Sequence, residues 1–260
     1  MTATMMLMIV VYCVILCIAS ETMRRLPPRW GLAFWLIVPL ALLPHFLNIS
    51  ASHGGWSWFL WVKIYSITLT LSWIMFCRMS TGKIPKLAVQ VSLFIAIGLN
   101  IFEAVALDAL LGNYGNAIAG ILLILTMRPL RQFSIDNNKY RDFLHDPGVP
   151  WIIAYTLWDL VFIYYSFKGT VIVHHLAVLA APLIISVFTG WERYLQSRGF
   201  TLGLHAIVYV SAFGWYREHF SLSPEAYVPD MQWIVQLVSL ACVVCLLNCP
   251  NLLRTNQSSL

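Results

Sequence analysis

Charged residues are scarce in this chain. Only 10% of its 260 residues are Asp, Glu, Lys or Arg, against about a quarter in an ordinary soluble domain. A soluble domain covers its apolar core with charge, and 16 basic and 11 acidic side chains are too few for that here. The composition therefore excludes a water-soluble enzyme, a disordered chain and a nucleic-acid-binding domain.

The sequence also lacks the motifs of several enzyme classes. It contains no nucleophile elbow, no Gly-rich phosphate loop and no HExxH motif. Its six cysteines and seven histidines show none of the spacings of a zinc or iron site. We therefore predict neither a cofactor nor a bound metal ion.

Apolar and aromatic residues instead make up 60% of the chain. A membrane-spanning helix needs about 20 mostly apolar residues. Eight stretches of the chain meet this requirement clearly, and a ninth, Gly-rich stretch at 112–130 is less apolar. We expect an all-α, polytopic integral membrane protein in which residues 1–260 form one transmembrane helical domain without a soluble domain. The eight clear stretches are about 5–20, 30–47, 57–77, 86–111, 149–168, 170–189, 199–217 and 231–248.

The basic residues predict the topology. If all nine stretches span and the N-terminus is outside, 13 Lys and Arg residues fall in cytoplasmic loops, against only Lys168 and Arg217 outside. Membrane proteins show this positive-inside bias, and it would collapse if 112–130 did not cross. We therefore predict about nine transmembrane helices, N-out and C-in. The cytoplasmic set is Arg24, Arg25, Arg29, Arg78, Lys83, Lys86, Arg128, Arg131, Lys139, Arg141, Arg193, Arg198 and Arg254.

Polar side chains within the predicted spans point to a functional site, because an ionised group near the bilayer centre costs about 2.5–3.5 kcal/mol. The topology places seven of eight such residues at or above the midplane on the outer side, and only His205 in the inner half. This distribution predicts one polar cavity that opens to the outer face. The seven are Lys63, Asn100, Glu103, Asp108, Asp159, His174 and His175.

The charge of that cavity predicts its ligand. Lys63 opposes Glu103, Asp108 and Asp159, so the formal sum is −2, which favours a small cation or bound protons. The structural alternative is that Lys63 pairs with Glu103 or Asp159 and only fixes helix packing. His174 and His175 have a similar alternative as interface residues at the membrane boundary.

One aromatic stripe lies beside Asp159. Its residues recur at steps of four and three, and an aromatic wall next to a carboxylate can hold an organic cation. The alternative interpretation is core packing or lipid contact, with Trp151 and Tyr165 as anchors at the membrane interface. The stripe comprises Trp151, Tyr155, Trp158, Phe162 and Tyr165.

The ninth stretch has Gly112, Asn116 and Gly120 at four-residue steps. Small residues at this spacing let helix backbones approach closely. The alternative is an unwound segment whose carbonyls line the cavity, as in transporters with discontinuous helices.

Three strings carry a family resemblance: Asn100-Ile-Phe-Glu103-Ala104, Asn116-Ala-Ile-Ala-Gly120-Ile, and Trp151-Ile-Ile-Ala-Tyr155-Thr-Leu-Trp158-Asp159. Over about 100–204 the chain resembles an uncharacterised family of bacterial multi-spanning membrane proteins, a domain of unknown function. The resemblance implies a bacterial cytoplasmic membrane protein and marks Asn100, Glu103, Tyr155 and Trp158. The family has Asn at the position of Asp159, so the resemblance does not imply an ionisable group there.

Three functions remain open from the sequence. The first is a transporter or channel for a small cation or a proton-coupled solute. The second is an intramembrane enzyme that acts on a lipid or isoprenoid, with Glu103 or Asp159 as acid or base. The third is a structural subunit. The expected partners are the lipid bilayer and a small cation, proton or lipid-like ligand, without nucleic acid, and the sequence does not fix the oligomeric state.

Overall fold

The computed structural model describes residues 3–127, 130–222 and 227–248. These residues form eleven α-helices, three short 3-10 helices and one hairpin with two residues in each strand. In the hairpin, β1 (Ser134–Ile135) pairs antiparallel with β2 (Phe143–Leu144). The helices are α1 (Ala3–Arg25), α2 (Pro28–Ala41), α3 (Leu43–Ser52), α4 (Trp58–Met79), α5 (Lys86–Leu110), α6 (Tyr114–Thr126), α7 (Val149–Ser166), α8 (Ile172–Thr189), α9 (Tyr194–Ser211), α10 (Phe213–Phe220) and α11 (Gln232–Asn248). Two residues of the predicted cytoplasmic set, Arg128 and Arg254, lie outside the described residues.

The chain is an all-α membrane protein, as its composition predicts. Within the described residues, six helices are long and apolar enough to cross a bilayer, and a seventh crossing follows if α2 and α3 form one bent span. Apolar side chains on α1, such as Leu7 and Ile18, are more than 60% exposed, as lipid-facing residues are. The six are α1, α4, α5, α7, α8 and α11, the last taken with the preceding turn from Pro229.

The predicted span 30–47 is broken rather than continuous. Its two parts, α2 and α3, meet at Leu42 and bend by 43°. Pro44 lies in the first turn of α3, where it has no N–H to donate and its ring crowds the carbonyl one turn earlier. The proline therefore ends α2 and starts a new helix in a new direction.

Helix α4 occupies the middle of the bundle. It packs against α2, α5 and α9, while α1 packs against α8 and α9. On the other side α6, α7 and α11 pack together, and α6 also contacts α5. This arrangement brings the polar faces of α4, α5, α7, α8 and α9 to a common centre.

The segment between α6 and α7 closes one end of the bundle around Asp142. This buried carboxylate accepts hydrogen bonds from Arg24 at 2.9 Å, Arg193 at 3.2 Å and Gln196 at 3.1 Å. Arg78, predicted in a loop, is instead fully buried in α4 and donates to the backbone oxygen of Arg24 at 2.6 Å. The ends of α1 and α4 and the start of α9 therefore meet at this end, which we call the Asp142 end.

Replacing Asp142 with asparagine should lower the free energy of unfolding by about 2 kcal/mol at pH 7. That is less than the loss of a whole buried ion pair, because Arg24 keeps Glu21 and Arg193 keeps Glu192 as partners. Denaturation of the purified protein by increasing SDS measures the difference. Asp230→Asn, at an exposed position, is the control and should change the free energy by less than about 0.5 kcal/mol.

The same variant should show a defined pH dependence. Burial raises the pKa of Asp142. Hydrogen bonds from Gln196 and Asn138 and the charges of Arg24 and Arg193 lower this pKa by more than burial raises it, so the pKa lies below its usual value. A carboxylate whose pKa is lowered by folding contributes its full stabilisation above the pKa of the unfolded chain, which is about 3.9. This stabilisation is lost as the pH falls through the pKa of the folded state. The difference between wild type and Asp142→Asn should therefore be constant near neutrality and shrink below about pH 4. A difference that grows on acidification would contradict this assignment.

Candidate functional site

Lys63 joins α4 to α5 inside the bundle. Its Nζ lies 3.1 Å from Oε2 of Glu103 and donates to both the backbone oxygen and Oδ1 of Asn100, each at 3.0 Å. Ser66 Oγ donates to the same Glu103 oxygen at 2.9 Å. Of the two partners left open by the sequence, Lys63 therefore pairs with Glu103.

Asp159 on α7 pairs with Arg198 on α9. An Nη2 hydrogen bond joins the guanidinium to Asp159, while Nη1 donates to the backbone oxygen of Val178 at 3.1 Å. His175 Nε2 lies 3.7 Å from the same Asp159 oxygen. All three ionisable residues are at most 5% exposed, so α7, α8 and α9 share one buried charge cluster.

The prediction that Arg198 lies in a cytoplasmic loop is wrong. The sequence pattern starts the eighth span at residue 199, but α9 begins at Tyr194. Arg198 is therefore more than one turn inside the helix, where its charge is compensated by Asp159. Hydropathy missed this helix start because Gln196 and Arg198 are polar, although both are buried.

The depth predicted for His205 is wrong for the same reason. Because α9 starts earlier, His205 lies in its second half, and its ring centroid is 5.0 Å from that of His174. Its Nδ1 is hydrogen-bonded to the hydroxyl of Tyr12 at 2.7 Å. Tyr209 and Tyr216 enclose His174 at centroid distances of 5.0 Å each. The structure thus has a histidine–tyrosine cluster at the level of the two histidines of α8.

Asp108 belongs to a separate polar cluster. Its carboxylate is fully buried and accepts hydrogen bonds from Asn113 at 3.0 Å, Asn116 at 2.7 Å and Ser166 at 3.0 Å. These donors are neutral, and the cluster lies between α5, α6 and the end of α7. The prediction of a single cavity containing every polar residue is therefore wrong for Asp108.

The aromatic stripe of α7 faces the bundle interior. Trp151 and Tyr155 stack at 5.3 Å, and Trp158 and Phe162 stack at 6.0 Å. Trp151 and Tyr165, predicted as interface anchors, are only 3% and 5% exposed. The stripe is therefore a buried aromatic wall and not a lipid contact.

Two cavities adjoin this wall. The first has a volume of about 80 Å³ and is lined by residues of α4, α5, α7, α8 and α9, and the second has a volume of about 50 Å³. Each is large enough for several water molecules. Of the predicted site residues, those that line the first cavity are Lys63, Asn100, Tyr155, Trp158, Asp159 and His175, and the structure adds Arg198 and His205.

The two cavities share four lining residues. Asn100, Tyr155, Arg198 and Leu202 line both, and we call this group the constriction. The first cavity continues toward Phe167 and Tyr209, whereas the second continues toward Leu195, close to the Asp142 end. The two cavities are therefore neighbours, and the four residues of the constriction line both.

A model described as a family of unknown function (DUF5692) matches residues 1–112 and 110–257. The chain belongs to this family. No curated protein and no solved structure matches it. The predicted relation to a domain of unknown function is confirmed, and the match extends well beyond the stretch 100–204 that carried the resemblance.

The charge of the site in this DUF5692 protein differs from the predicted value of −2. Asp108 is outside the first cavity, and Arg198 is a lining residue in its place. Two cationic side chains and one anionic side chain line the cavity, and the Glu103 carboxylate bound to Lys63 brings the formal sum to zero. The electrostatic argument for a small cation therefore loses its basis.

The arrangement offers polar groups at a few points of a mostly apolar wall. A lining of this kind is typical of pockets for ligands with an apolar body and a polar head. Among the described residues, no three His, Cys, Asp or Glu side chains are grouped so that they could hold a metal ion. The chemistry of the site therefore resides in the Lys63–Glu103 pair and the Asp159–Arg198–His175 cluster.

Proposed function

We propose that this protein is a transporter for a small organic solute, which binds in the first cavity and passes through the constriction to the second. The observation that carries the proposal is the pair of cavities that share Asn100, Tyr155, Arg198 and Leu202. A purely structural bundle has no need for two successive voids lined by buried charges, since each void loses packing contacts and each charge costs desolvation.

The same proposal includes the predicted topology of nine crossings, N-out and C-in. Basic residues gather at the Asp142 end, where Arg25, Arg29, Lys139 and Arg141 surround one surface depression. Positive-inside bias makes this end cytoplasmic. We also propose the bacterial cytoplasmic membrane as its location, which the resemblance over 100–204 supports.

Helices α6 and α9 are not among the six helices that are long and apolar enough to cross a bilayer. The contacts near their two ends nevertheless support counting both as crossings. Helix α6 starts beside Asn113 in the Asp108 cluster, and near its other end the Leu123 carbonyl accepts a hydrogen bond from Trp151 at the start of α7. Near the start of helix α9, Gln196 donates to Asp142, and in its second half His205 contacts Tyr12. At 13 residues, α6 is about 20 Å long, so its crossing requires a locally thinner bilayer.

A second candidate is an intramembrane enzyme acting on a lipid or isoprenoid. It is favoured by the aromatic wall beside Asp159 and His175, since either side chain could act on the substrate as an acid or base while the rings stabilise a cationic intermediate. This function requires a pocket that water does not reach from either side of the membrane.

Cysteine accessibility distinguishes the candidates. In a variant whose six cysteines are replaced by alanine, we would introduce Ala104→Cys in the first cavity and Thr70→Cys in the second. A membrane-impermeant, charged thiol reagent is then added to oriented vesicles from one side at a time. We expect Ala104→Cys to react from outside and Thr70→Cys from the cytoplasmic side.

Ala177→Cys is the matched control. Ala177 is fully buried between α1 and α8, away from both cavities, and its cysteine should react at least tenfold more slowly from either side. If the two cavity cysteines react no faster than this control, the transport path does not exist. The enzymatic or structural function would then replace it.

A further inference from the structure

Three buried polar atoms around the first cavity have no hydrogen-bond partner among the described residues. They are Nε of Arg198, Nδ2 of Asn100 and Nε2 of His175. All three residues line the first cavity, and Asn100 and Arg198 belong to the constriction. A buried N–H donor without a partner is destabilising, so the nitrogens of Arg198 and Asn100 are suited to a ligand that supplies acceptors.

The donor character of two of these atoms is fixed by chemistry. A guanidinium has five N–H donors and no acceptor, and both Nη atoms of Arg198 are already engaged with Asp159 and Val178. The ammonium group of Lys63 is also a donor only, so the oxygen of the Asn100 amide must face it. The 3.0 Å distance between Lys63 Nζ and Asn100 Oδ1 agrees with this orientation. The Asn100 nitrogen is therefore the free end of that amide.

We propose that the transported solute is a small organic carboxylate, whose head group binds at the constriction between Asn100 and Arg198 and whose apolar body lies against the aromatic wall of α7. This inference rests on the proposed function. Two separate N–H donors match the two oxygens of a planar carboxylate. A phosphate group, with more oxygens and a higher charge, would need more donors than these.

The charge of the site requires a proton to enter with the carboxylate. The cavity and its Glu103 neighbour sum to zero, so a bound carboxylate leaves one uncompensated negative charge. His175 takes up this proton on its ring, beside Asp159 at 3.7 Å. The other groups facing it are Lys63 and Arg198 in the same cavity and His205 at a ring distance of 5.9 Å. The solute is thus carried with one proton.

Binding of three ring compounds of similar shape tests the substrate class. Benzoate, neutral benzamide and cationic benzylamine are titrated calorimetrically into the purified full-length protein. We expect benzoate to bind at least tenfold more tightly than either analogue. Equal binding of all three, or preference for benzylamine, would overturn the proposal without any variant being made.

Asn100→Asp then tests the site. The variant keeps an oxygen facing Lys63 and replaces the free nitrogen by a carboxylate oxygen, which is an acceptor and brings negative charge. Benzoate affinity should therefore fall at least tenfold while benzylamine affinity does not fall. Melting temperature without ligand shows that the variant is folded. Unchanged benzoate affinity in the folded variant would remove Asn100 from the site and contradict the proposal.

A histidine pair tests the proton. Titration in two buffers of different ionisation enthalpy gives the protons taken up with benzoate. We expect about one for wild type and for His174→Gln, and close to none for His175→Gln. The two histidines are adjacent and both buried, but only His175 of the two lines the cavity, so equal proton uptake in both variants would exclude His175 as the carrier.

The outcomes separate this inference from the transport proposal. Reactive cavity cysteines without benzoate selectivity leave the path intact and reject the carboxylate. Benzoate selectivity with unreactive cysteines keeps the binding site and rejects transport.

Discussion

Replacing Arg198 with methionine should lower the free energy of unfolding by about 3–5 kcal/mol, the largest effect we expect for any single ionisable residue. Methionine preserves the apolar volume of the side chain but leaves Asp159 buried without its cation. His175 is too distant at 3.7 Å for a hydrogen bond that would compensate. Unfolding by SDS at pH 7 measures the change.

Two further variants isolate the cause. Arg217→Met removes the same group from an exposed position and should change the free energy by less than about 1 kcal/mol. The double variant Arg198→Met, Asp159→Leu removes both buried charges and should recover most of the loss, because an apolar pair of similar volume can replace a buried ion pair. A double variant as unstable as the single one would show that Arg198 stabilises through packing instead.

The positions of the helices follow from the sequence wherever a span is long and predominantly apolar. Segments 57–77 and 86–111 correspond closely to α4 and α5, because a long, predominantly apolar segment leaves few alternatives to a helix in a membrane. The bend at Leu42 also has a local signal, since Pro44 cannot continue the helix. The start of α9 has no such signal in the hydropathy of the sequence, because Gln196 and Arg198 are polar residues whose partners lie on other elements.

The site follows from the sequence only in part, for a related physical reason. Hydropathy marks Lys63, Asn100 and Asp159 as costly within a span, and these residues do line the first cavity. Which charges compensate one another depends on helix packing, which single-helix periodicity does not determine. Asp108 and Asp159 look alike in the sequence, yet neutral amides surround the first and a guanidinium pairs with the second.

Replacing Gly120 with alanine should destabilise the protein by about 3 kcal/mol, at the upper end of the range for overpacking. A Cβ at this position of α6 would clash with Cγ2 of Val105 and lie 2.9 Å from the ring of Trp158. The Trp158 ring cannot easily move away, because its Nε1 donates to the backbone oxygen of Asn116 at 2.9 Å. The four-residue spacing of Asn116 and Gly120 therefore serves close packing of α6 on α5 and α7, the first of the two alternatives from the sequence.

Gly98→Ala on α5 is the matched control, since both glycines are helical and buried. At Gly98 the added Cβ meets only a methyl group of Ile124 at 3.9 Å, so alanine should stabilise by about 0.5–1 kcal/mol through its helix propensity. The same alanine substitution thus acts with opposite signs in adjacent helices. Because Trp158 lines the first cavity, Gly120→Ala should also weaken benzoate binding, whereas Gly98→Ala should not. If both variants were equally stable, α6 would not approach α7 as closely as the cavity wall requires.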